Sequence, residues 1–318
     1  MTTRQAPADQ PHGAPMSATA LPVPDRTEPD PLESALDEVA REGYAVRTAL
    51  DPDLVAELLD LFHSLEVGTD AVVYRTFMDE SRETARRIDL ALKELLGPVV
   101  ERVTPGYRPF LATYCYKGTE GGEVPYHQDW SFTDERQARG IAWWIPLVTV
   151  GEQNGGLAVI PRSHRWTAGL RVCSQVVDAP IVPHQDDFRS LCVTVPLEPG
   201  SVVLYDTALV HGSEPVHGGG DRPAIVLQTG PEGCDIVHFQ LDLTALRGYL
   251  VDEAYFSTQE YESRPEGYPE LEPWTRPVVA SDFDEPLRVA KQAAAAAAAP
   301  QVAPKPTRFI DRLRRSAR

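Results

Sequence analysis

Cysteine is scarce in this chain, four residues in 318, and Cys115, Cys173, Cys192 and Cys234 show neither the close pairing of a zinc site nor the density of a disulfide-stapled domain. Both classes are set aside, and a reducing, cytoplasmic setting is the expectation. Long apolar runs are missing as well. Nothing approaches the roughly 18 apolar residues of a membrane span, and the first residues lack the basic-then-apolar order of a secretory leader. Basic residues are outnumbered, 30 lysines and arginines against 47 aspartates and glutamates, for a net charge of −17. Such a surface repels nucleic acid and anionic lipid, so neither nucleic acid nor a membrane is the expected partner, and a small-molecule substrate is.

What is present divides the chain into three stretches. Residues 1–31 are rich in Pro, Ala, Thr and Asp without an apolar period, so they cannot bury enough surface to offset ordering, and a disordered tail is expected. Residues 32–285 form the expected folded domain. Residues 286–318 are read as a low-complexity tail, with alanines at Ala293 to Ala299 and a short basic patch after Arg308. Within the domain, Leu32, Leu36 and Val39 fall at helical spacing before Gly43, and a short strand follows from Tyr44. Asp51 and Pro52 open a second helix with Leu54, Leu58, Leu61 and Leu65 along one stripe. A third is predicted over 81–96, facing in through Ile88, Leu92 and Leu95 and stopped by Gly97 and Pro98.

From Tyr107 the pattern changes to short runs of Val, Ile, Leu, Tyr and Trp between Gly, Pro and Asp, the mark of an antiparallel sandwich or barrel. Strands are predicted at Phe110–Tyr116, Val124–Trp130, Ile141–Val148, Leu157–Ile160, Leu191–Val195 and Ser201–Tyr205, with a returning strand after Asp221. The fold class is mainly β with flanking helices, eight strands in two sheets forming a jelly roll. Residues 246–285 show no alternation, and their aromatics are expected to wrap the barrel or form a lid.

The chemistry centres on His127 and Asp129. In an extended strand, residues two apart share a face, so an imidazole and a carboxylate point the same way. Taken alone, such a pair more often marks a hydrogen-bonded histidine than a ligand. His211, after the apolar run Ser201 to Tyr205, is the candidate third ligand, and two histidines with one carboxylate suit non-haem ferrous iron while leaving coordination positions open. Arg222 lies shortly beyond, on what reads as the return of a hairpin, where it can share a cavity with His211. A guanidinium there grips a carboxylate by two parallel bonds, helped by the Ser213 hydroxyl. Gln128, alternating with the ligands, is expected to point away from them.

Four blocks in order carry a resemblance: His127-Gln-Asp129; Ala142-Trp-Trp-Ile-Pro-Leu-Val148; Asn154 to His164; and Pro199 to Asp206 leading to His211, Ser213 and Arg222. Over residues 40–245 the chain resembles the phytanoyl-CoA dioxygenase family of Fe(II)/2-oxoglutarate-dependent oxygenases. The resemblance implies a double-stranded β-helix with Fe(II) on His127, Asp129 and His211. It implies 2-oxoglutarate and O2 as cosubstrates, Trp144 lining their pocket, Trp143 on the opposite face, and oxidation of a small molecule, typically hydroxylation, with release of succinate and CO2. One departure is Arg162, where the family more often has a small residue in a Pro-Gly-Ser-His turn. His164 and Arg162 are read as turn residues or as the edge of the pocket. The rival reading is a cupin-type isomerase or binding protein that holds a metal on the same ligands without 2-oxoglutarate. Such a protein has no need of the clamp at Arg222 and Ser213.

Overall fold

The computed structural model describes residues 34–298 apart from 68–71, 80, 136, 167–169, 173–180, 219, 242–245, 260–263 and 272–282. Cys173 and the tail expected over 1–31 lie outside the described residues. Helix α1 (Ala35–Glu42) begins where Ser34 Oγ accepts the Asp37 N–H and ends at Gly43, whose φ of 89° lets its N–H turn back to the Val39 carbonyl. Strand β1 (Tyr44–Thr48) follows, and then α2 (Pro52–His63), with the Asp51 side chain accepting from Leu54 N. Leu58 and Phe62 are its deepest side chains, so the buried face sits slightly round from the predicted leucine stripe.

After β2 (Tyr74–Arg75), helix α3 (Arg82–Val103) runs through the stop predicted at Gly97 and Pro98 and on to Val103. Proline forfeits one backbone bond and crowds the preceding turn, yet Val99 and Val100 are buried beyond it, and their burial carries the helix on. The strands β3 (Tyr107–Lys117), β4 (Val124–His127), β5 (Ile141–Pro146) and β6 (Ala158–Val159) come next. Then follow α4 (Gln185–Leu191), β7 (Val193–Thr194), β8 (Ser201–Asp206), β9 (His211–Ser213) and β10 (Arg222–Pro231). Leu191, predicted to open a strand, closes α4 instead.

These strands form two antiparallel sheets, β1-β8-β5-β10-β3-β2 and β4-β9-β6-β7, a jelly roll with more strands than the predicted eight. Helices α1, α2 and α3 cover the outside of the larger sheet, where Leu58, Ile88 and Leu92 pack with Trp143, Ile145 and Leu204. One residue on, Trp144 faces inward to Leu157, Val159 and Tyr205, as strand alternation requires. No helix among the described residues is long and apolar enough to cross a membrane.

Two predictions for the C-terminal part are corrected. Residues from 246 were expected to lack strand structure, but β12 (Leu246–Val251) pairs with β11 (Ile236–Leu241), and α5 (Tyr255–Thr258) packs with them against the barrel. The alternation is hard to see because the hairpin is buried on a side that also carries Tyr249 and His238. The stretch assigned to a tail begins as α6 (Asp284–Ala298), whose Leu287, Ala290 and Ala294 pack near Phe188 of α4.

Arg162 shows how the chain accommodates its departure from the family turn. It adopts φ 67°, the left-handed conformation a glycine takes without strain, and its guanidinium holds Glu42 by two bonds of 2.8 and 2.9 Å. The conformation costs roughly 1–2 kcal/mol for an L-residue. The exposed ion pair returns at most about 1 kcal/mol, and glycine would add about 0.5–1 kcal/mol of unfolded-state entropy. Arg162→Gly is therefore expected to unfold in denaturant within about 1 kcal/mol of wild type, and Arg162→Ala, with the strain but not the clamp, below both.

Candidate active site

Strands β4 and β9 lie side by side with His127 opposite His211, their imidazole centroids 4.3 Å apart. Gly212 permits this approach, since a Cβ there would stand 2.9 Å from the Val124 carbonyl oxygen. Each ring is oriented from behind. His127 Nδ1 donates to the Pro125 carbonyl at 2.8 Å and His211 Nδ1 to the Leu209 carbonyl at 2.9 Å. A carbonyl can only accept, so the proton sits on Nδ1 and both Nε2 lone pairs are free to bind a metal.

Asp129 lies beyond the end of β4, so strand alternation alone does not place it. Its Oδ1 is 3.7 Å from both Nε2 atoms, while Oδ2 accepts from Gln228 Nε2 at 2.9 Å and from the Tyr205 hydroxyl at 3.1 Å. A separation of 3.7 Å is within the about 4.2 Å that two metal bonds of about 2.1 Å can span. The three donor atoms lie within 4.8 Å of one another. Burial works against the Asp129 carboxylate, but His211, His127 and the two hydrogen bonds hold its pKa below the ordinary value. Withdrawal from bulk water and the neighbouring His211 push the His127 imidazole down to about 3. His127 and Asp129 are thereby held deprotonated, as ligands to a divalent cation must be. Burial and the nearby Asp129 carboxylate raise the Tyr205 phenol well above its usual value, so it stays a donor to Asp129.

His211 and Arg222 do not belong to one hairpin, contrary to prediction: β9 is in the smaller sheet and β10 in the larger, and the two residues face each other across the sandwich. Arg222 is 2% exposed, and its Nε and Nη1 have no hydrogen-bond partner among the described residues. The guanidinium lies 5.4 Å from the centre of the Trp144 ring. Ser213 and Trp144 border the same cavity, roughly 1000 Å³ counting its open mouth. Lys117, opposite Arg222 in register, turns Nζ to the carbonyls of Glu214 (2.7 Å) and Ser213 (3.4 Å). Burial, then Arg222, push its pKa down to about 7. Tyr116 faces the helices instead.

Other predicted residues are placed differently. Gln128 was expected to point away, yet it borders the cavity and donates to the Ala208 carbonyl, because the strand has already ended at His127. His164 is buried against α1, with Nε2 near the Ala40 carbonyl, and Arg162 clamps Glu42; among the described residues neither lines the cavity. The sequence reading missed Tyr205, Gln228 and Arg75. The first two were accessible from alternation, Gln228 sharing a face with Arg222 along β10. Arg75 sits on a two-residue strand with no pattern to find it by.

The model of the family described as phytanoyl-CoA dioxygenase (PhyH) matches residues 21–224, ending just past Arg222. No curated protein sequence matches the chain significantly. Among solved structures, AviO1 from Streptomyces viridochromogenes Tue57 is similar at 23% identity and TM-score 0.46, over 63% of this chain and 95% of that one. HygX from Streptomyces hygroscopicus, solved with nickel, 2-oxoglutarate and hygromycin B, is similar at 14% identity and TM-score 0.44, over 63% and 87%. EctD from S. alaskensis, in its apoform, gives 22% identity and TM-score 0.44, over 62% and 76%. Likeness at these scores carries no argument about this chain's substrate.

Proposed function

The chain belongs to the phytanoyl-CoA dioxygenase family, and from that premise we propose that it is an Fe(II)/2-oxoglutarate-dependent dioxygenase that hydroxylates, or otherwise oxidises, a small molecule. The observation that carries this reading is the pairing, in one cavity, of three converging donor atoms with a buried guanidinium whose Nε and Nη1 have no hydrogen-bond partner among the described residues. A buried charge with empty donor positions is costly unless a ligand completes it. A dicarboxylate fits: one end for the metal, the other for Arg222. A cupin-type isomerase has no use for that arginine.

His127 Nε2, Asp129 Oδ1 and His211 Nε2 would hold the ferrous ion. When bound, ferrous iron with a 2-oxo acid supplies oxygen activation coupled to decarboxylation, giving succinate and CO2. The chain's own groups prepare for this. The Pro125 and Leu209 carbonyls fix the imidazole rings, and Tyr205 and Gln228 hold Asp129 so that one oxygen faces the histidines. Arg222 and Ser213 would orient the distal carboxylate, while Trp144 walls off water and stacks under the guanidinium.

The product follows from Asp129. A carboxylate in that position occupies the place a halide would need and repels it by like charge. Incubated anaerobically with Fe(II), 2-oxoglutarate and a small-metabolite extract in excess chloride, then given oxygen, the protein is expected to yield a product heavier by one oxygen atom, with succinate. A halogenated product would contradict ligation by Asp129, and an isomer of unchanged mass formed without 2-oxoglutarate would favour the cupin-type reading.

A further inference from the structure

Two side chains bordering the cavity, Arg222 and Gln228, carry buried polar atoms with no hydrogen-bond partner among the described residues. Their needs are opposite. Arg222 is a donor, and the proposed cosubstrate meets it. Gln228, 5% exposed, is left with an acceptor, its Oε1. The amide cannot turn round to exchange the two ends. Its Nε2 donates to Asp129 Oδ2 at 2.9 Å, and a carboxylate held in its charged form only accepts. Every polar atom of 2-oxoglutarate is likewise an acceptor, so the cosubstrate cannot complete Gln228. A buried acceptor left unmet is costly, and the group that meets it must bring an O–H or N–H of its own.

Gln228 stands at the end of the cavity away from Arg222. The two share a face of β10 six positions apart, about 20 Å at strand rise, and Gln228 lies opposite Leu111 of β3 in register. Around Leu111 the lining is aromatic: Phe77, Trp130, Phe132 and Phe256, with Phe132 edge-on to Phe256 at 5.1 Å and 6.2 Å from Trp130. The hydroxyl nearest along β3 is already engaged, since Thr113 Oγ1 shares a 2.8 Å bond with Thr76 and accepts from Phe77 N at 3.1 Å. Phe256 belongs to α5, beyond the family match that ends at residue 224. It is fastened in place by its neighbour: Ser257 Oγ donates at 3.0 Å to the buried Asp89, whose other oxygen accepts the Ala112 N–H at 2.9 Å, one residue from Leu111.

We infer that the prime substrate is an apolar-bodied ring compound carrying a hydrogen-bond donor, O–H or N–H, the donor held by Gln228 Oε1 beside the metal ligands and the ring body laid against Phe77, Trp130, Phe132 and Phe256. This rests on the function proposed above, since it assigns the Arg222 end to the cosubstrate. The aromatic faces supply contact area, and the single amide oxygen supplies orientation next to Asp129.

The test is binding, not turnover. Protein loaded with Fe(II) and 2-oxoglutarate under anaerobic conditions is titrated with 4-phenylbutan-1-ol, its methyl ether and 4-phenylbutanamide, and affinities are read by ligand-observed nuclear magnetic resonance. The alcohol, the amide or both are expected to bind on the order of 10-fold more tightly than the ether, which has no donor, and the one that does so identifies the donor as O–H or N–H. Gln228→Leu should abolish that preference. Tyr205→Phe, which removes the other bond to Asp129 without touching the acceptor, should keep it. Phe256→Ala should weaken all three probes on the order of 10-fold, and Phe256→Leu less, with 2-oxoglutarate affinity unchanged in both. Equal binding of ether, alcohol and amide to wild type, or no binding of any, overturns the inference without a variant; the first result would mean that water meets Gln228. A preference that survives Gln228→Leu or disappears in Tyr205→Phe, or probe affinities unmoved by Phe256→Ala, overturns it as well. Failure of 2-oxoglutarate to bind wild type would instead count against the proposed function, and the same titrations into protein loaded with Fe(II) alone would still report on Gln228 and the aromatic wall.

Discussion

His211→Ala is expected to lower Fe(II) affinity by well over 100-fold and to abolish 2-oxoglutarate turnover. Disturbing only an outer hydrogen bond that orients a metal ligand costs about 10- to 100-fold, so deleting one of three ligands must cost more. Tyr205→Phe and Gln228→Leu supply that milder comparison, each removing one bond to Asp129 Oδ2 and leaving the ligands in place. The ordering should therefore be wild type, then these two, then His211→Ala. His211 is buried and paired in register with His127, so the variant's fold must be checked by circular dichroism before its metal content is read. Stoichiometric iron with surviving turnover in a folded His211→Ala protein would remove His211 from the site.

Arg222→Ala is expected to leave Fe(II) content near wild type and to raise the 2-oxoglutarate requirement steeply. Losing a charge-assisted pair in a closed pocket costs about 2–5 kcal/mol, roughly 30-fold to several thousand-fold in dissociation constant. Arg222→Lys should recover only part of this, because an ammonium cannot make two parallel bonds and would lose the stacking over Trp144. The two variants thus separate what the histidines do from what the arginine does. A shared loss of both ligands in each would mean the cavity collapses as a unit.

Much of the site was legible in the sequence because its residues sit where local rules apply. Trp143 and Trp144 alternate between faces, Gly43 ends its helix and Asp51 caps the next as expected, whereas Asp129, two residues after His127 but past the end of β4, is held in place by Gln228 and Tyr205. The jelly roll was readable from strand spacing. What was not readable depends on long-range packing. Nothing near His211 tells which sheet the following strand joins, so the hairpin drawn between His211 and Arg222 was wrong even though both face one cavity. Helix α3 passes Pro98 because buried valines beyond it outweigh a local penalty. Arg75 is brought in by a two-residue strand, too short to carry any period.

The central claim is that the metal ligands and Arg222 serve a single cosubstrate. It is tested most directly by titrating 2-oxoglutarate into the protein anaerobically, with and without Fe(II), in wild type and Arg222→Ala. The expected result is one 2-oxoglutarate per chain, bound tightly only when both the metal and Arg222 are present. Binding of equal strength without the metal, or no binding with it, would contradict the claim.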